Sequence, residues 1–482
     1  MIAQWRLRAA FAQRLSAMYG REVPAYTTLV DVSREVNEDV LRARGAAAER
    51  LGSVGRLTAE RHGAIRVGTP RELRQVARVF GALGMRPVGF YDLREAAVGA
   101  VPVVSTAFRP VDGEELERNP FRVFTSLLTS ADPRFFDEEL RARLETFLSA
   151  RELFPPRLLD LADRAAAEGG LAEADAERFL RLAVGSFELS PEPVDQAWYA
   201  ALERVSGVAA DIGGVGSTHL NHLTPRVLDI DELYRRMTAR GVEMIDTIQG
   251  PPAWAGPDVL LRQTSFRALD EPRALRTPDG TVVTGALRVR FGEVEARGIA
   301  LTREGRARYD DLLALVDRHA ADQPHTPRSA LARAVWEEHM PRTERELAAR
   351  GLGFFTYHTV PGRPRDGTRP PAAPDALLAG GWVRAEPIVY EDFLPRSAAG
   401  IFQSNLSGTG ARNAAREGAR YDAAWLSGAL DREVLDPFTH YARQRDASLA
   451  RVAGELGLDP GALVRTDPHR KESHDQHPAP RH

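Results

Sequence analysis

The chain has 482 residues, of which 43% are hydrophobic and 27% charged, as in an ordinary globular protein. Its formal net charge of −3 gives no overall electrostatic reason to bind nucleic acid or an anionic membrane. Cysteine is absent, so disulfides, thiolate nucleophiles, cysteine-bound zinc and iron–sulfur clusters are excluded. No apolar stretch is long enough to span a membrane and no secretory signal is visible, so we expect a cytoplasmic protein.

A β-turn-α-β unit follows an N-terminal segment of helical pattern. The residues from His62 to Val67 predict a short strand, and a turn ending at Pro70 leads into a helix. The helix has one apolar face, formed by Leu73, Val76, Val79 and Phe80. It stops at Gly84, and a second strand follows.

The segment from His219 to Thr247 repeats this layout, with a histidine in a strand, a proline-bearing turn, a helix ending in Arg-Gly and a further strand. Placing His62 onto His222 gives a topological match with few identities. Further strands are predicted at 259–266 and, after a turn that favours a hairpin, at 281–294. From about residue 303 to 350 the pattern is helical again.

These elements predict an α+β fold in which two related modules are separated by a helical insertion. The predicted parts are an N-terminal helical segment, a first module, a helical insertion, a second module, a C-terminal extension that closes the site and a disordered tail, at residues 1–54, 55–109, 110–212, 213–310, 311–465 and 466–482.

Two histidines and a carboxylate are candidates for a metal site. Glu293 and Glu295 lie on one face of a predicted strand, where an apolar face becomes acidic. With His62 and His222 in the first strands of the two modules, they suggest a two-His-one-carboxylate site, the ligand set of non-haem Fe(II) and O₂ chemistry. Arg66, on the same strand face as His62, would present a guanidinium to a substrate carboxylate.

Each of these residues also has a structural interpretation. A strand histidine is most often a hydrogen-bonded part of the fold, and His219, near His222, is a candidate for that role. Either glutamate could instead form a surface ion pair with Arg290 or Arg297, and Arg66 could be solvated or paired. Motifs for a nucleophile elbow, a phosphate-binding loop with lysine and a zinc-protease helix are absent from the sequence.

The stretch from Phe291 to Arg297 is similar to the F-x-E-[IV]-x-x-R segment of 4-hydroxyphenylpyruvate dioxygenases, in which the glutamate binds iron. The two repeats look like the paired β-α-β-β-β modules of the vicinal oxygen chelate superfamily, which form a metal-holding sheet. This resemblance favours Glu293 over Glu295 as the ligand. It also implies an α+β fold with a large helical insertion and a C-terminal α/β extension.

Several segments together resemble the 2-oxoadipate dioxygenase/decarboxylase family, formerly a domain of unknown function. They are LSAMYG at 15–20, EVP at 22–24, RHG at 61–63, NHLTP at 221–225, FGEVE at 291–295, RGIALT at 297–302, EDFLP at 391–395 and SAAGIF at 397–402. The resemblance covers about residues 10–460. The roles that it implies are Fe(II) ligands at His62, His222 and Glu293, and substrate contacts at Arg66, Thr247, Arg396 and Ser397.

The resemblance implies that 2-oxoadipate and O₂ are converted to 2-hydroxyglutarate and CO₂ in lysine breakdown. A 2-oxo acid can chelate Fe(II) through its carboxylate and keto oxygens and leave a position for O₂. The resemblance implies a small apolar residue at position 396, where this sequence has Arg396. If the arginine side chain enters the pocket, the chain length or acidity of the preferred substrate could differ. Neither nucleic acid nor a membrane is an expected partner, and the sequence does not indicate an oligomeric state.

Two other functions are compatible with the same residues. One is a redox-neutral, metal-dependent lyase or isomerase of glyoxalase type that uses Zn²⁺ or Ni²⁺, since the ligand set alone does not fix the metal. The other is a non-catalytic ligand-binding protein of the same fold. The length of the chain and the complete set of three ligands count against that binding protein.

Overall fold

The computed structural model describes residues 1–95, 100–288, 290–362, 367–395, 397, 401, 405, 413 and 416–465. Arg396 and the predicted tail at 466–482 lie outside the described residues. The chain divides into two compact units. The first contains Met1–Gly250, Leu261–Ala296 and Asp392–Asp436, and the second contains Pro251–Leu260, Arg297–Glu391 and the chain from Pro437. None of the helices in the described part of the chain is long and apolar enough to cross a membrane.

The described chain combines several small sheets, in which most strand pairs are antiparallel, with many helices, which confirms the predicted α+β class. The strands are β1 (Ile2–Ala3), β2 (Arg61–Val67), β3 (Arg86–Asp92), β4 (Val103–Arg109), β5 (Arg122–Leu128), β6 (Gly170–Leu171), β7 (Val194–Asp195), β8 (His222–Pro225), β9 (Leu261–Phe266), β10 (Glu271–Arg276), β11 (Val282–Leu287), β12 (Gly292–Arg297), β13 (Phe355–Thr359) and β14 (Val383–Pro387). The helices are α1 (Gln4–Glu22), α2 (Pro24–Arg44), α3 (Val54–Ala59), α4 (Pro70–Ala82), α5 (Gly113–Arg118), α6 (Glu138–Ala150), α7 (Pro156–Glu168), α8 (Glu173–Gly185), α9 (Gln196–Glu203), α10 (Gly207–Gly213), α11 (Ile230–Ala239), α12 (Arg303–Asp322), α13 (Arg328–His339), α14 (Glu344–Ala349), α15 (Pro374–Ala379), α16 (Ala423–Leu430), α17 (Pro437–Leu456) and α18 (Pro460–Arg465), with a 3₁₀ helix at Gly45–Leu51.

A five-stranded sheet with the order β3-β4-β5-β2-β8 is the centre of the first unit. Strand β2 pairs with β5 in parallel and with β8 in antiparallel orientation. A parallel bridge between Arg226 and Glu295 connects the end of β8 to β12, which pairs with β9. Strand β2 therefore lies between β5 and β8, and the two repeats meet where β2 pairs with β8.

The first repeat has the structure that its sequence predicts. Pro70 is at the start of α4, and Thr69 and Glu72 form a capping box that satisfies the exposed N–H groups of the first turn. The four predicted apolar residues of α4 are buried. Gly84 has a φ of +71°, a left-handed conformation that glycine adopts without strain, so the chain turns there into β3.

The second repeat follows the same plan with shorter elements. Asp229 caps α11 by accepting a hydrogen bond from the backbone N–H of Glu232. The helix is followed by Gly241 at a φ of +78°, the counterpart of Gly84. The predicted strand after this turn is reduced to single bridges, from Met244 to Phe266 and from Gln249 to Gln263.

The strand predicted at 281–294 is two strands, so that prediction is wrong. β11 ends at Leu287 and β12 begins at Gly292. Between them Arg290 is buried and paired with Glu271 at 2.8 Å and with Glu22. A buried guanidinium needs such partners, and reaching them takes the chain away from the β11 pairing.

The region 110–212, predicted to be mainly helical, also contains β5, a central strand of the sheet. Its residues, RVFTSLL, include the β-branched and aromatic side chains that favour strands. Helices follow from Glu138 to Gly213, interrupted by the two-residue strands β6 and β7. In the second unit, α12–α14 confirm the helices predicted from about 303 to 350, and β13 and β14 form an antiparallel pair.

Candidate metal centre

The two histidines lie on adjacent strands with their side chains on the same face of the sheet. In the β2–β8 pairing, His62 lies opposite Thr224 and His222 lies opposite Ala64. The histidines are therefore diagonal neighbours, a position from which large side chains meet. Their ring centroids are 5.2 Å apart, and both residues are buried.

Glu293 on β12 completes the group. One of its carboxylate oxygens lies 3.3 Å from Nε2 of His222, and the other lies 3.6 Å from Nε2 of His62. A ligand atom from each of the three residues lies within 4.8 Å of the other two. Gln263 on β9 donates a hydrogen bond of 3.2 Å to the same carboxylate. Two imidazoles and one carboxylate converging in a buried space fit a divalent metal ion.

The second ring nitrogen of each histidine faces a different kind of group. Nδ1 of His62 is 2.8 Å from a carboxylate oxygen of Glu295, and Nδ1 of His222 is 3.0 Å from the hydroxyl of Thr224. Both nitrogens that face Glu293 are therefore Nε2. Glu295 lies behind His62, away from Glu293, so the geometry favours Glu293 as the ligand, as the resemblance implies.

Both glutamates are buried, so neither forms the surface ion pair that the sequence left open. Arg290 pairs with Glu271 and Glu22, and Arg297 donates to the backbone oxygen of Tyr390 at 2.8 Å. Glu295 instead accepts a hydrogen bond of 3.2 Å from Arg122, and both side chains are fully buried.

Electrostatics differ between the two histidines. Burial alone would lower the pKa of His62, but the carboxylates of Glu295 and Glu293 outweigh it and raise that pKa. Burial lowers the pKa of His222 well below its usual value, and the positive charges of His62 and Arg66 lower it further. Burial raises the pKa of Glu293, although His62 opposes this change. The lowered pKa of His222 therefore favours the uncharged imidazole, the form that can bind a metal ion.

Arg66 lies two positions beyond Ala64 on the same face of β2 as His62, and its side chain is buried. Its guanidinium pairs through Nη1 with Asp211 of α10. Asp211 also accepts a hydrogen bond of 2.9 Å from Asn221 and lies 3.1 Å from Nε2 of His219. Burial alone would raise the pKa of Asp211, but His219 and Arg66 hold it well below its usual value.

The remaining residues singled out in the sequence lie outside the His62, His222 and Glu293 group. His219 lies in the Asp211 cluster, in agreement with its interpretation as a hydrogen-bonded structural residue. Ser397 is buried in the first unit. Thr247 is exposed, and its hydroxyl accepts a hydrogen bond of 2.9 Å from Gln249. For Thr247 and Ser397 a role in substrate binding stays a prediction, as it does for Arg396, outside the described residues.

Aromatic side chains border the histidines. The ring of Phe393 meets that of His62 edge-on at 5.0 Å, and the ring of Phe291 stacks on that of His222 at 5.4 Å. The hydroxyl of Tyr19 lies 2.9 Å from the backbone oxygen of Asn221 and 2.8 Å from that of Phe291. Tyr19 thereby links the residues that precede His222 and β12, and it lies in the LSAMYG segment of the sequence.

Sequence reasoning missed several residues of this site. Gln263 lies inside a predicted strand, but the alternation of apolar and polar residues in that strand does not indicate that its side chain contacts a carboxylate. Arg122 was missed because β5 was assigned to a helical region, although the valine, phenylalanine and threonine around it are strand signals. The pairing of Asp211 with Arg66 joins residues that are far apart in the sequence, so no local sequence pattern predicts it.

The fold and site define an α+β protein with a buried His-His-Glu group that could hold a metal ion. Comparison with known proteins extends this description. The family model described as 2-oxoadipate dioxygenase/decarboxylase matches residues 11–405. Relatives of that name are 56% identical in Mycobacterium tuberculosis strain H37Rv, over 90% of this chain and 95% of theirs, and 40% identical in Escherichia coli K12, over 92% and 97%. The chain belongs to the 2-oxoadipate dioxygenase/decarboxylase family.

Solved structures give the same relationship. The hydroxyglutarate synthase from Pseudomonas putida in complex with 2-oxoadipate matches with a TM-score of 0.79 and 37% identity, covering 95% of this chain and 99% of that one. A Shigella flexneri protein that includes domain DUF1338 matches with a TM-score of 0.78 and 37% identity, covering 93% and 99%. These matches confirm the family recognised in the sequence.

Proposed function

We propose that this protein is an Fe(II)-dependent dioxygenase that converts 2-oxoadipate and O₂ to 2-hydroxyglutarate and CO₂. The observation that carries the proposal is the convergence of His62, His222 and Glu293 within 4.8 Å in a buried site. A relative 37% identical to this chain is a hydroxyglutarate synthase whose structure contains 2-oxoadipate. The reaction balances: one oxygen atom enters the new carboxylate, the other enters the hydroxyl group, and carbon 1 leaves as CO₂.

The metal would be held by Nε2 of His62, Nε2 of His222 and the carboxylate of Glu293. When bound, Fe(II) supplies the one-electron chemistry that O₂ requires and positions to chelate the 2-oxo carboxylate. The lowered pKa of His222 favours its neutral ring, which has a lone pair to offer a metal ion, and Gln263 restrains the carboxylate of Glu293. The chain thus presents the ligand set without a large rearrangement of these side chains.

Arg66 is the group that we assign to the far carboxylate of the substrate. It is four residues from His62 on the same strand face, so their Cα atoms are about 13 Å apart at 3.3 Å per residue. The long arginine side chain spans part of that distance, and its charge lowers the pKa of both His222 and Glu293. A dicarboxylate of six carbons can therefore reach from the metal to the guanidinium, which fixes the carbon to be hydroxylated.

The aromatic rings of Phe393 and Phe291 limit the access of water to the histidines, which protects reactive species from side reactions. We assign further substrate contacts to Thr247, Arg396 and Ser397 on the basis of the family resemblance. From the same resemblance we infer a role in lysine breakdown, and the cytoplasmic location stays a prediction.

Oxygen consumption tests the proposal directly. Protein loaded with Fe(II) under anaerobic conditions is mixed with O₂ and 2-oxoadipate, with 2-oxoglutarate and 4-hydroxyphenylpyruvate as comparison substrates and with product masses measured. We expect uptake matched one to one by CO₂ and 2-hydroxyglutarate, and none from a His222→Ala variant. Protein that holds Fe(II) but consumes no O₂ with any 2-oxo acid would exclude the dioxygenase. Turnover of a substrate by the Zn²⁺ or Ni²⁺ form without O₂ would instead support a glyoxalase-type reaction.

A further inference from the structure

Glu295 occupies a position that the ligand assignment does not explain. It shares a strand face with Glu293, yet its carboxylate faces the back of His62, with one oxygen 2.8 Å from Nδ1. Glu295 and His62 are buried, so water cannot compete for this contact. The distance suits a charge-assisted hydrogen bond, which needs a small rotation of the ring because the Nδ1–H is not aligned with the carboxylate in this structure.

A row of buried charges holds this carboxylate in place. Arg122 donates to the second oxygen of Glu295 at 3.2 Å and to Glu60 at 2.8 Å. Arg226 donates to the other oxygen of Glu60 at 2.8 Å. Arg122 lies opposite His62 in the β2–β5 pairing, and Arg226 bridges to Glu295 between β8 and β12. The alternating charges of Arg226, Glu60 and Arg122 thus fix Glu295 relative to His62.

The orientation of an imidazole depends on which nitrogen carries its single proton. A neutral His62 whose Nδ1–H donates to Glu295 must present the lone pair of Nε2, and Nε2 is the nitrogen that faces Glu293. The opposite tautomer, with its proton on Nε2, would direct the lone pair of Nδ1 at the carboxylate of Glu295. Its Nε2–H would then point to the place where the metal ion would bind. Glu295 therefore excludes the tautomer that cannot bind metal.

We propose that Glu295 is a positioning residue for the metal centre: it accepts the Nδ1–H of His62, fixes the ring and its tautomer, and is itself held by Arg122. The inference rests on the proposed function only in that His62 binds a metal ion. His222 provides an internal comparison, because its Nδ1 faces the neutral hydroxyl of Thr224. A carboxylate restrains an imidazole more strongly than a hydroxyl does. The orientation of His62 should therefore depend more on Glu295 than the orientation of His222 depends on Thr224.

Metal affinity, measured without turnover, tests this role. Metal-free protein is titrated with Co²⁺, and the visible absorption gives both the dissociation constant and the ligand geometry. We expect Glu295→Gln to bind one Co²⁺ with an affinity lowered about 10–100-fold, the usual effect of losing such a partner. We expect Thr224→Val to change the affinity less than Glu295→Gln, and Glu293→Gln to lose the wild-type spectrum because a ligand is replaced. An unchanged dissociation constant in Glu295→Gln, with the wild-type spectrum, would overturn the proposal.

A measurement on the unaltered protein covers the case in which Glu295→Gln does not fold. In Zn²⁺-loaded protein with ¹⁵N-labelled histidine, we expect His62 to be protonated at Nδ1 and metal-bound at Nε2. The reverse arrangement would overturn the role of Glu295. Failure of the wild-type protein to bind either Co²⁺ or Zn²⁺ would count against the metal centre itself and hence against the proposed function, so the two failures are distinguishable.

Discussion

Replacing Asp211 with asparagine removes the negative charge that faces the buried guanidinium of Arg66 while keeping the size of the side chain. Arg66 and Asp211 are each less than 5% exposed. Breaking a buried ion pair by removing one partner costs about 3–5 kcal/mol, because the remaining charge is left without compensation. Asn221 and His219 keep only a neutral partner in the variant. We therefore expect Asp211→Asn to lower the free energy of unfolding of the first unit by about 3–5 kcal/mol at pH 7.

The pH dependence of this loss has a defined sign. The pKa of Asp211 in the folded protein is lower than in the unfolded chain, where it is about 3.9. The carboxylate therefore contributes its full stabilisation above that value and loses it as the pH falls toward the folded pKa. The stability difference between wild type and Asp211→Asn should be constant from pH 7 to about 5 and should shrink below about 4.

Urea unfolding of the metal-free protein, followed by tryptophan fluorescence, measures the effect. Trp198 is a local reporter, since its indole N–H donates to the backbone oxygen of Gly213 in α10 at 2.8 Å. The control is Asp163→Asn, which removes an exposed pair with Arg78 and should cost no more than about 1 kcal/mol.

A double-mutant cycle with Arg66→Met isolates the pairing itself. We expect Arg66→Met and Asp211→Asn to be non-additive by about 0.5–3 kcal/mol, because the double variant no longer buries a lone charge. If Asp211→Asn is within about 1 kcal/mol of wild type, or if the cycle is strictly additive, the pair is not a buried ion pair that supports the arginine proposed to bind substrate.

Three further predictions concern the sheet and its surroundings. Gln263→Leu removes the hydrogen bond to the ligand carboxylate and should weaken Co²⁺ binding by about tenfold or more with little change in secondary structure, measured by titration and circular dichroism. Arg8→Met removes the donor to the buried backbone carbonyl oxygens of Asn119 and Leu83, at about 1–3 kcal/mol each, and should lower the urea midpoint strongly; an unchanged midpoint would contradict this. Gly250→Ala should destabilise more than Gly241→Ala in the same assay: both have a positive φ, but only at 250 would the new Cβ meet a backbone oxygen, at 2.1 Å.

The local parts of the first repeat could be predicted because their signals are local. The turn ending at Pro70, the apolar face of α4 and the glycine after it lie within a short window, and the structure has all of them. The choice of Glu293 over Glu295 came from a family resemblance, since strand parity alone leaves both on the same face. The structure separates them by what each faces, His222 in one case and Arg122 in the other.

The elements that sequence missed depend on long-range partners. The strand from 281 to 294 divides because Arg290 requires Glu271 and Glu22, which lie 19 and 268 residues away. Arg122 in β5 is similarly explained by Glu60 and Glu295, on other strands or connections. Buried charges of this kind have no periodic signature, so patterns of hydrophobicity do not reveal them.

The spacing of the three proposed ligands along the chain has a consequence for how the protein would acquire a metal ion. His62 and His222 are 160 residues apart, and Glu293 is 71 residues further on, yet all three lie on neighbouring strands. Closing such long loops is slow, and no pair of ligands is near in the unfolded chain. Tight metal uptake should therefore begin only after β2, β8 and β12 have assembled, so that its time course reports the final joining of the two modules. A metal ion present during refolding would then stabilise the finished sheet by mass action rather than nucleate its assembly.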